Sequence, residues 1–278
     1  MIWLNGRLVT RDQAHIDPAD RGLLLADGLF ETLRAYRGHV FKFEDHLQRL
    51  AAGAAELGIP LPEDSPAIAA AALETLAANQ LDRADAAMRI TLTRGPGQRG
   101  LLPPEDPRPN LMITAAAYHP QPAQDGFIAV TASGVCRNEG SLTARLKTLS
   151  YLDNILALRQ AARQEGDEAL LLNGKGRVAC GARSNLFGMV DGRLLTPAIE
   201  EGALPGITRH LILRLCADLA VPAEEGIVSR EMLREASEAF VCNSLIEVVP
   251  LRRLDGREMP IGPVTKRLME AYASLTPS

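Results

Sequence analysis

The segment DEALLLNGKGRVACGARSNLFGMVDGRLLTP, residues 167–197, most constrains how this chain folds. DEALLLN reads as a short buried strand and GKG as its turn. RVACGARSNLFGMV follows as a strand, a kink at Gly181 and a second strand. Asp191-Gly192 is a hairpin turn into RLLTP. Turns this short join neighbouring antiparallel strands, whereas parallel strands need a crossover of about a dozen residues. A run of adjacent strands is therefore expected in the second half.

The first half mixes strands and helices. Ile2-Trp3-Leu4 and Arg7-Leu8-Val9 flank Asn5-Gly6, a hairpin signal. Phe30 to Tyr36 reads as a strand, Arg37-Gly38 as a turn, and His39 to Phe43 as a second strand. Glu44 to Leu57 has helical period, with Leu47, Leu50, Ala54 and Leu57 on one face. Helices are expected over 65–79, 207–219, 229–236 and 264–274, and strands over 87–93, 110–118, 127–135, 239–242 and 245–250. Gly95, Gly97 and Gly100 spell GxGxxG, but LLPPEDPRPN follows and cannot start the helix a dinucleotide site needs. That stretch is expected to be an exposed loop. HPQPAQDG separates two strand-like runs, so the domains are placed at 1–118 and 127–278, with a linker at 119–126. The fold class is mixed α/β with two domains.

A net charge of -4 gives no support for nucleic acid or an anionic membrane as partner. No run approaches the roughly 20 apolar residues of a membrane span. The N-terminus lacks the basic and apolar regions of a secretion signal. The four cysteines are scattered, without metal-ligand spacing, so neither a metal site nor a disulfide framework is expected. A reducing, cytoplasmic location follows.

Lysine is scarce: Lys42, Lys147, Lys175 and Lys266 stand among 30 Lys and Arg residues. Arginine cannot lose its proton, whereas a desolvated lysine can and then acts as a nucleophile. Lys147 lies between Leu146 and Leu149, ahead of an apolar helical run of Leu152, Ile155, Leu156 and Leu158. That placement would bury its stem and lower its pKa; a snorkelling surface lysine reads the same way. Pro205-Gly206 precedes an amphipathic helix whose first N–H groups, at Ile207 and Thr208, suit an anion, although an ordinary capped start looks alike. Asn243-Ser244 ends a strand, where small polar residues donate to a phosphate or cap a turn.

DRGLLLADGLFETLRAYRG, FEDHLQRL, RLKTLSYLDNILALRQA, DEALLLNGKGRVACGARSNLF, LPGITR and VCNSLIEVVP occur in this order. Together they resemble the class IV aminotransferases, the fold-type IV pyridoxal-phosphate enzymes. The resemblance implies a small α/β domain and a larger one with the cofactor between them, usually in a homodimer. It implies that Lys147 anchors pyridoxal 5′-phosphate as a Schiff base and moves the substrate proton. Arg49 matches the helix arginine that grips the phosphate bidentately. Ile207, Thr208, Ser244 and Asn243 match its other phosphate contacts. Arg34 and Arg99 match segments that border the pocket, and Phe30 and Thr32 alternate with Arg34 on one strand.

One departure stands out. The family carries a glutamate five residues before the asparagine of SNLF, paired with the pyridine nitrogen. Counting from Asn185, this chain has Cys180 there. A neutral thiol gives no countercharge, and Glu247 is the candidate substitute acid. Three activities compete: 4-amino-4-deoxychorismate lyase, D-amino-acid aminotransferase and branched-chain aminotransferase. The missing glutamate tilts the reading towards the lyase, whose aromatic product, 4-aminobenzoate, supplies driving force. A small amino-acid, keto-acid or aminodeoxychorismate substrate follows. A cofactor-binding relative with little turnover is the third reading.

Overall fold

The computed structural model describes residues 1–119 and 125–277. Among these, the chain divides into two compact units. The first comprises 1–119, 146–150 and 276–277; the second comprises 125–145 and 151–275. The expected linker falls mostly on 120–124, outside the described residues.

The first unit contains β1 (Ile2–Leu4), β2 (Arg7–Val9), α1 (Arg21–Leu25), β3 (Gly28–Tyr36), β4 (His39–Val40), α2 (Phe43–Leu57), α3 (Ser65–Ala78), β5 (Ala86–Thr93) and β6 (Asn110–Ala117). Its six-stranded sheet runs β2-β1-β6-β5-β3-β4, and every pairing is antiparallel. Asn5 and Gly6 both take positive φ, 48° and 88°, as the turn between β1 and β2 requires.

The strand expected over His39 to Phe43 is cut short. Phe41 still donates its N–H to the Arg34 carbonyl. Lys42 then takes a φ of 53°, which turns the chain into α2 at Phe43. The apolar stripe of α2 is buried as its spacing indicates. Leu47, Leu50 and Ala54 pack with Leu29 and Leu33 of β3, Met88, Ile90 and Leu92 of β5, and Ile68 and Leu76 of α3. A Cβ on Gly53 would lie 3.0 Å from Leu29 Cδ1, so a glycine lets α2 settle closely on β3. Burying each Leu- or Ile-sized chain here stabilises the unit by about 1.5–3 kcal/mol.

The second unit contains β7 (Phe127–Thr131), α4 (Leu152–Ala162), β8 (Glu168–Leu172), β9 (Val178–Gly181), β10 (Asn185–Val190), β11 (Arg193–Pro197), α5 (Ile207–Asp218), β12 (Ala223–Gly226), α6 (Arg230–Glu235), β13 (Glu238–Asn243), β14 (Glu247–Leu254), β15 (Arg257–Glu258) and α7 (Pro263–Leu275). Its strands follow the order β12-β11-β10-β13-β14-β7-β8-β9, with β15 on β14. The β8–β9 and β10–β11 pairs are the antiparallel neighbours that the short turns demand. β7 stops at Thr131, short of the expected Val135.

Lys147 lies ahead of the helical run, and α4 starts only at Leu152. The Lys147 carbonyl accepts the Phe30 N–H, and the Leu149 N–H reaches the Gly28 carbonyl. Groups committed to a strand partner cannot make helical i→i−4 bonds. This ladder attaches 146–150 to the edge of β3 and counts it with the first unit. The apolar run of α4 is not wholly inward: Leu152 is 66% exposed, and Ile155 and Leu156 are also exposed. Asn154, Ala157 and Ala161 form its buried face instead.

Candidate active site

Strand alternation divides β3 into two functional faces. Leu29, Leu33 and Ala35 enter the core, and Glu31 lies on that face with them. Phe30, Thr32 and Arg34 share the opposite face, as expected. The register pairs Phe30 with Thr91 and Thr32 with Arg89 of β5. The Phe30 ring is the meeting point. Lys147 Nζ lies 4.4 Å from its centroid, and the Arg89 guanidinium carbon lies 3.7 Å from it. Arg89 Nε also donates to Thr91 Oγ1 at 3.1 Å. A lysine amine and an exposed guanidinium thus share one aromatic ring. Their like charges favour an anion beside them.

Arg89 was missed from sequence. The alternation of β5 was read through Met88, Ile90 and Leu92, whose intervening residues, Ala87, Arg89 and Thr91, form the face towards Phe30 and Thr32. Arg34 goes elsewhere. It is buried, donates to Asp85 Oδ2 at 3.0 Å, and lies over the Tyr36 and Tyr118 rings. Arg99 is exposed in the loop after β5. Arg21 holds that loop by donating to the Gly100, Leu101 and Leu102 carbonyls. A Cβ on Gly95, where φ is 85°, would lie 1.8 Å from the Arg108 carbonyl oxygen, so the glycine serves close backbone approach.

Arg49 projects from α2 onto Glu31. Its Nε donates to Oε1 at 2.8 Å and its Nη2 to Oε2 at 2.6 Å. His46, one turn earlier, brings Nδ1 within 2.6 Å of Oε2. The side chains of Glu31 and His46 are 1% and 2% exposed. Burial alone would raise the Glu31 pKa, but the Arg49 and His46 hydrogen bonds and the Arg49 charge outweigh it and bring it to about 2. Burial lowers the His46 pKa against the opposing effect of Glu31, and the Arg49 and Lys147 charges lower it further. His46 is therefore neutral, and Nδ1 carries the proton donated to the carboxylate. The edge of Arg49 formed by Nε and Nη2 is engaged by Glu31.

In the second unit, Gly206 caps α5 without a side chain to satisfy the first-turn N–H groups of Ile207 and Thr208. A Cβ on Gly206 would lie 2.0 Å from Asn185 Oδ1. Asn243 shapes its own turn: Oδ1 accepts the Leu245 and Ile246 N–H groups, and Nδ2 donates to the Arg183 carbonyl. Ser244 is half-buried in that turn.

Cys180 is buried on β9 opposite Leu171. Burial pushes its thiol pKa up; the Arg137 charge opposes this and the Glu168 charge adds to it. Glu168 is thus an acid that acts on the thiol. Glu168 straps down the kink at Gly181, accepting from the N–H groups of Ala169 and Ala182 and from Ser184 Oγ. Burial raises its pKa. Among the described residues no group of three His, Cys, Asp or Glu side chains suits a metal, and no helix is long and apolar enough to cross a membrane.

The amino-transferase class IV family model matches residues 28–254, from the start of β3 to the end of β14. This chain belongs to the class IV aminotransferases. Members of the family are enzymes that use pyridoxal phosphate. The chain is 35% identical over 99% of its length to a Methanocaldococcus jannaschii protein provisionally named a branched-chain-amino-acid aminotransferase, covering 96% of it. It is 31% identical to the D-alanine aminotransferase of Listeria innocua, covering 96% of this chain and 93% of that one. Among solved structures, the Escherichia coli branched-chain amino acid aminotransferase superposes with a TM-score of 0.92 at 29% identity, covering 99% and 93% of the two chains. The 4-amino-4-deoxychorismate lyase of Pseudomonas aeruginosa does so with 0.87 at 32% identity, covering 99% of each.

Proposed function

We propose that this class IV enzyme moves an amino group between an α-amino acid and a 2-oxo acid. The observation that carries the reading is the Phe30 ring, with Lys147 Nζ 4.4 Å from its centroid and the Arg89 guanidinium at 3.7 Å. An amine and a cation on one ring suit a substrate that presents a carboxylate near a reacting amino carbon. The choice of transfer over elimination is supported by the two full-length aminotransferase relatives.

The donor set fits pyridoxal phosphate, with an amine for its aldehyde and a guanidinium for its phosphate. When bound, the cofactor supplies an electron sink for a carbanion at the substrate Cα. Lys147 would hold it by Nζ and move the Cα proton at that atom. Its backbone ladder to Phe30 and Gly28 fixes where the stem emerges. Arg49 would bind the phosphate through the Nη1/Nη2 edge. Arg89 would orient the substrate carboxylate, and Phe30 would exclude water from the face it covers. Cys180, neutral at working pH, would leave the pyridine nitrogen without the usual countercharge.

The test is a panel of D- and L-amino acids, each offered with a 2-oxo acid, alongside aminodeoxychorismate. Amino transfer to the 2-oxo acid is expected, with Arg89→Ala raising KM about ten- to hundredfold, as loss of a charge-assisted contact does. Release of pyruvate and 4-aminobenzoate from aminodeoxychorismate, with no amino transfer, would overturn it. That lyase outcome is the second reading, favoured by Cys180 in place of the glutamate.

A further inference from the structure

The buried cluster of His46, Glu31 and Arg49 carries a role that the fold alone does not demand. We infer that Glu31, seated by His46, is a positioning residue. It fixes the plane of Arg49 so that the far edge of the guanidinium is set for a phosphate before the cofactor arrives. The inference rests on the reading of Arg49 as the phosphate anchor.

A guanidinium is planar and carries five N–H groups in a rigid fork. Glu31 takes Nε and one hydrogen of Nη2, at 2.8 and 2.6 Å. Planarity then directs Nη1 and the second Nη2 hydrogen away from the carboxylate, side by side, as bidentate recognition of a phosphate requires. Oε2 accepts from both Arg49 Nη2 and His46 Nδ1, so the carboxylate cannot rotate without breaking three contacts. His46 and Arg49 are three residues apart on α2 and therefore reach β3 from one face of the helix. A neutral imidazole adds a hydrogen bond without a second positive charge, so the cluster holds one carboxylate against one guanidinium. An unheld arginine would lose its rotamer freedom only on meeting the phosphate, at a loss of affinity; here the ordering is complete on folding.

A carboxylate that merely neutralised a buried arginine would affect all ligands alike. Positioning of a phosphate anchor affects only ligands that carry a phosphate. Apoprotein of the full chain is titrated with pyridoxal 5′-phosphate and, separately, with pyridoxal, which keeps the aldehyde and lacks the phosphate. Binding is followed by the visible band of the lysine-bound aldehyde. Glu31→Gln should weaken pyridoxal phosphate about ten- to hundredfold, as loss of an outer partner of a ligand-binding group does, and leave pyridoxal unchanged. Equal weakening of both probes, or of neither, would overturn the inference. If Glu31→Gln does not fold, His46→Leu is read in the same way and should show a smaller loss confined to the phosphate ester. Arg49→Gln separates the two levels. If it leaves the ratio of the two affinities unchanged, the anchor reading itself is wrong. If it lowers the ratio while Glu31→Gln does not, only the positioning role falls.

Discussion

Acidification should weaken the first unit through Glu31, by an amount that follows from its surroundings. Its pKa falls from 4.5 to about 2 because hydrogen bonds from Arg49 and His46 outweigh burial. At about 1.36 kcal/mol per tenfold change, that difference corresponds to about 3 kcal/mol of stability. The folded carboxyl takes up its proton at lower pH than the unfolded one, so the unfolded state binds more protons between 4.5 and 2. The stabilisation is therefore complete above the unfolded value and lost as pH falls towards the folded one, with about 2 kcal/mol gone by pH ~3. Trp3 is the sole tryptophan and is buried in the core beside Leu29 and Leu33, so its fluorescence reports the unfolding of this unit. Urea unfolding of apoprotein is followed at a series of pH values from about 6 to about 3, for the natural chain and for Glu31→Gln, which cannot titrate. The advantage of the natural chain should shrink by about 2 kcal/mol over that range. Parallel curves for the two proteins would refute the argument.

Three further outcomes are expected. Lys147→Ala should abolish the visible band on addition of pyridoxal phosphate; a band that persists and is fixed by borohydride would place the attachment on another residue. Cys180→Glu should raise the rate of the amino-acid half-reaction if a missing countercharge limits it, and an unchanged or lower rate would show that the pocket is arranged around the thiol. A thiol reagent at mildly alkaline pH should label only the exposed Cys136 in the folded protein and all four cysteines in denaturant, since Cys180, Cys216 and Cys242 are buried and burial pushes their pKa values up, for Cys216 to about 11. Labelling of Cys180 at a comparable rate would contradict the buried, neutral thiol.

Much of the fold was legible because its signals are local. Asn5-Gly6 and Asp191-Gly192 each adopt the positive φ values that two-residue turns need. The stripe of Leu47, Leu50 and Ala54 needs only helical period to be seen. Lys147 was legible by scarcity and by resemblance, yet its conformation was not. Leu152, Ile155 and Leu156 suggested a buried helix, whereas hydrogen bonds to Phe30 and Gly28, more than a hundred positions upstream, decide the lysine's backbone. Arg89 stayed hidden because its place over the Phe30 ring follows from the β3–β5 register, which alternation alone does not reveal. Glu31 left a usable trace: a carboxylate between core residues Leu29 and Leu33 must find a cationic partner, and HLQR in α2 offers two candidates three residues apart.

The ladder between 147–149 and β3 also bears on modularity. Chain order suggests that the protein can be cut after residue 119 into two self-sufficient parts. The packing says otherwise, since the first unit is discontinuous and borrows 146–150 from beyond the cut. A fragment of 1–119 would keep Arg49 and Glu31 but bare the backbone of Gly28 and Phe30 along an open sheet edge, the sort of edge that recruits stray strands. The segment that carries Lys147 is therefore also a structural closure. Evolution or engineering that exchanges the first unit has to bring the lysine segment with it.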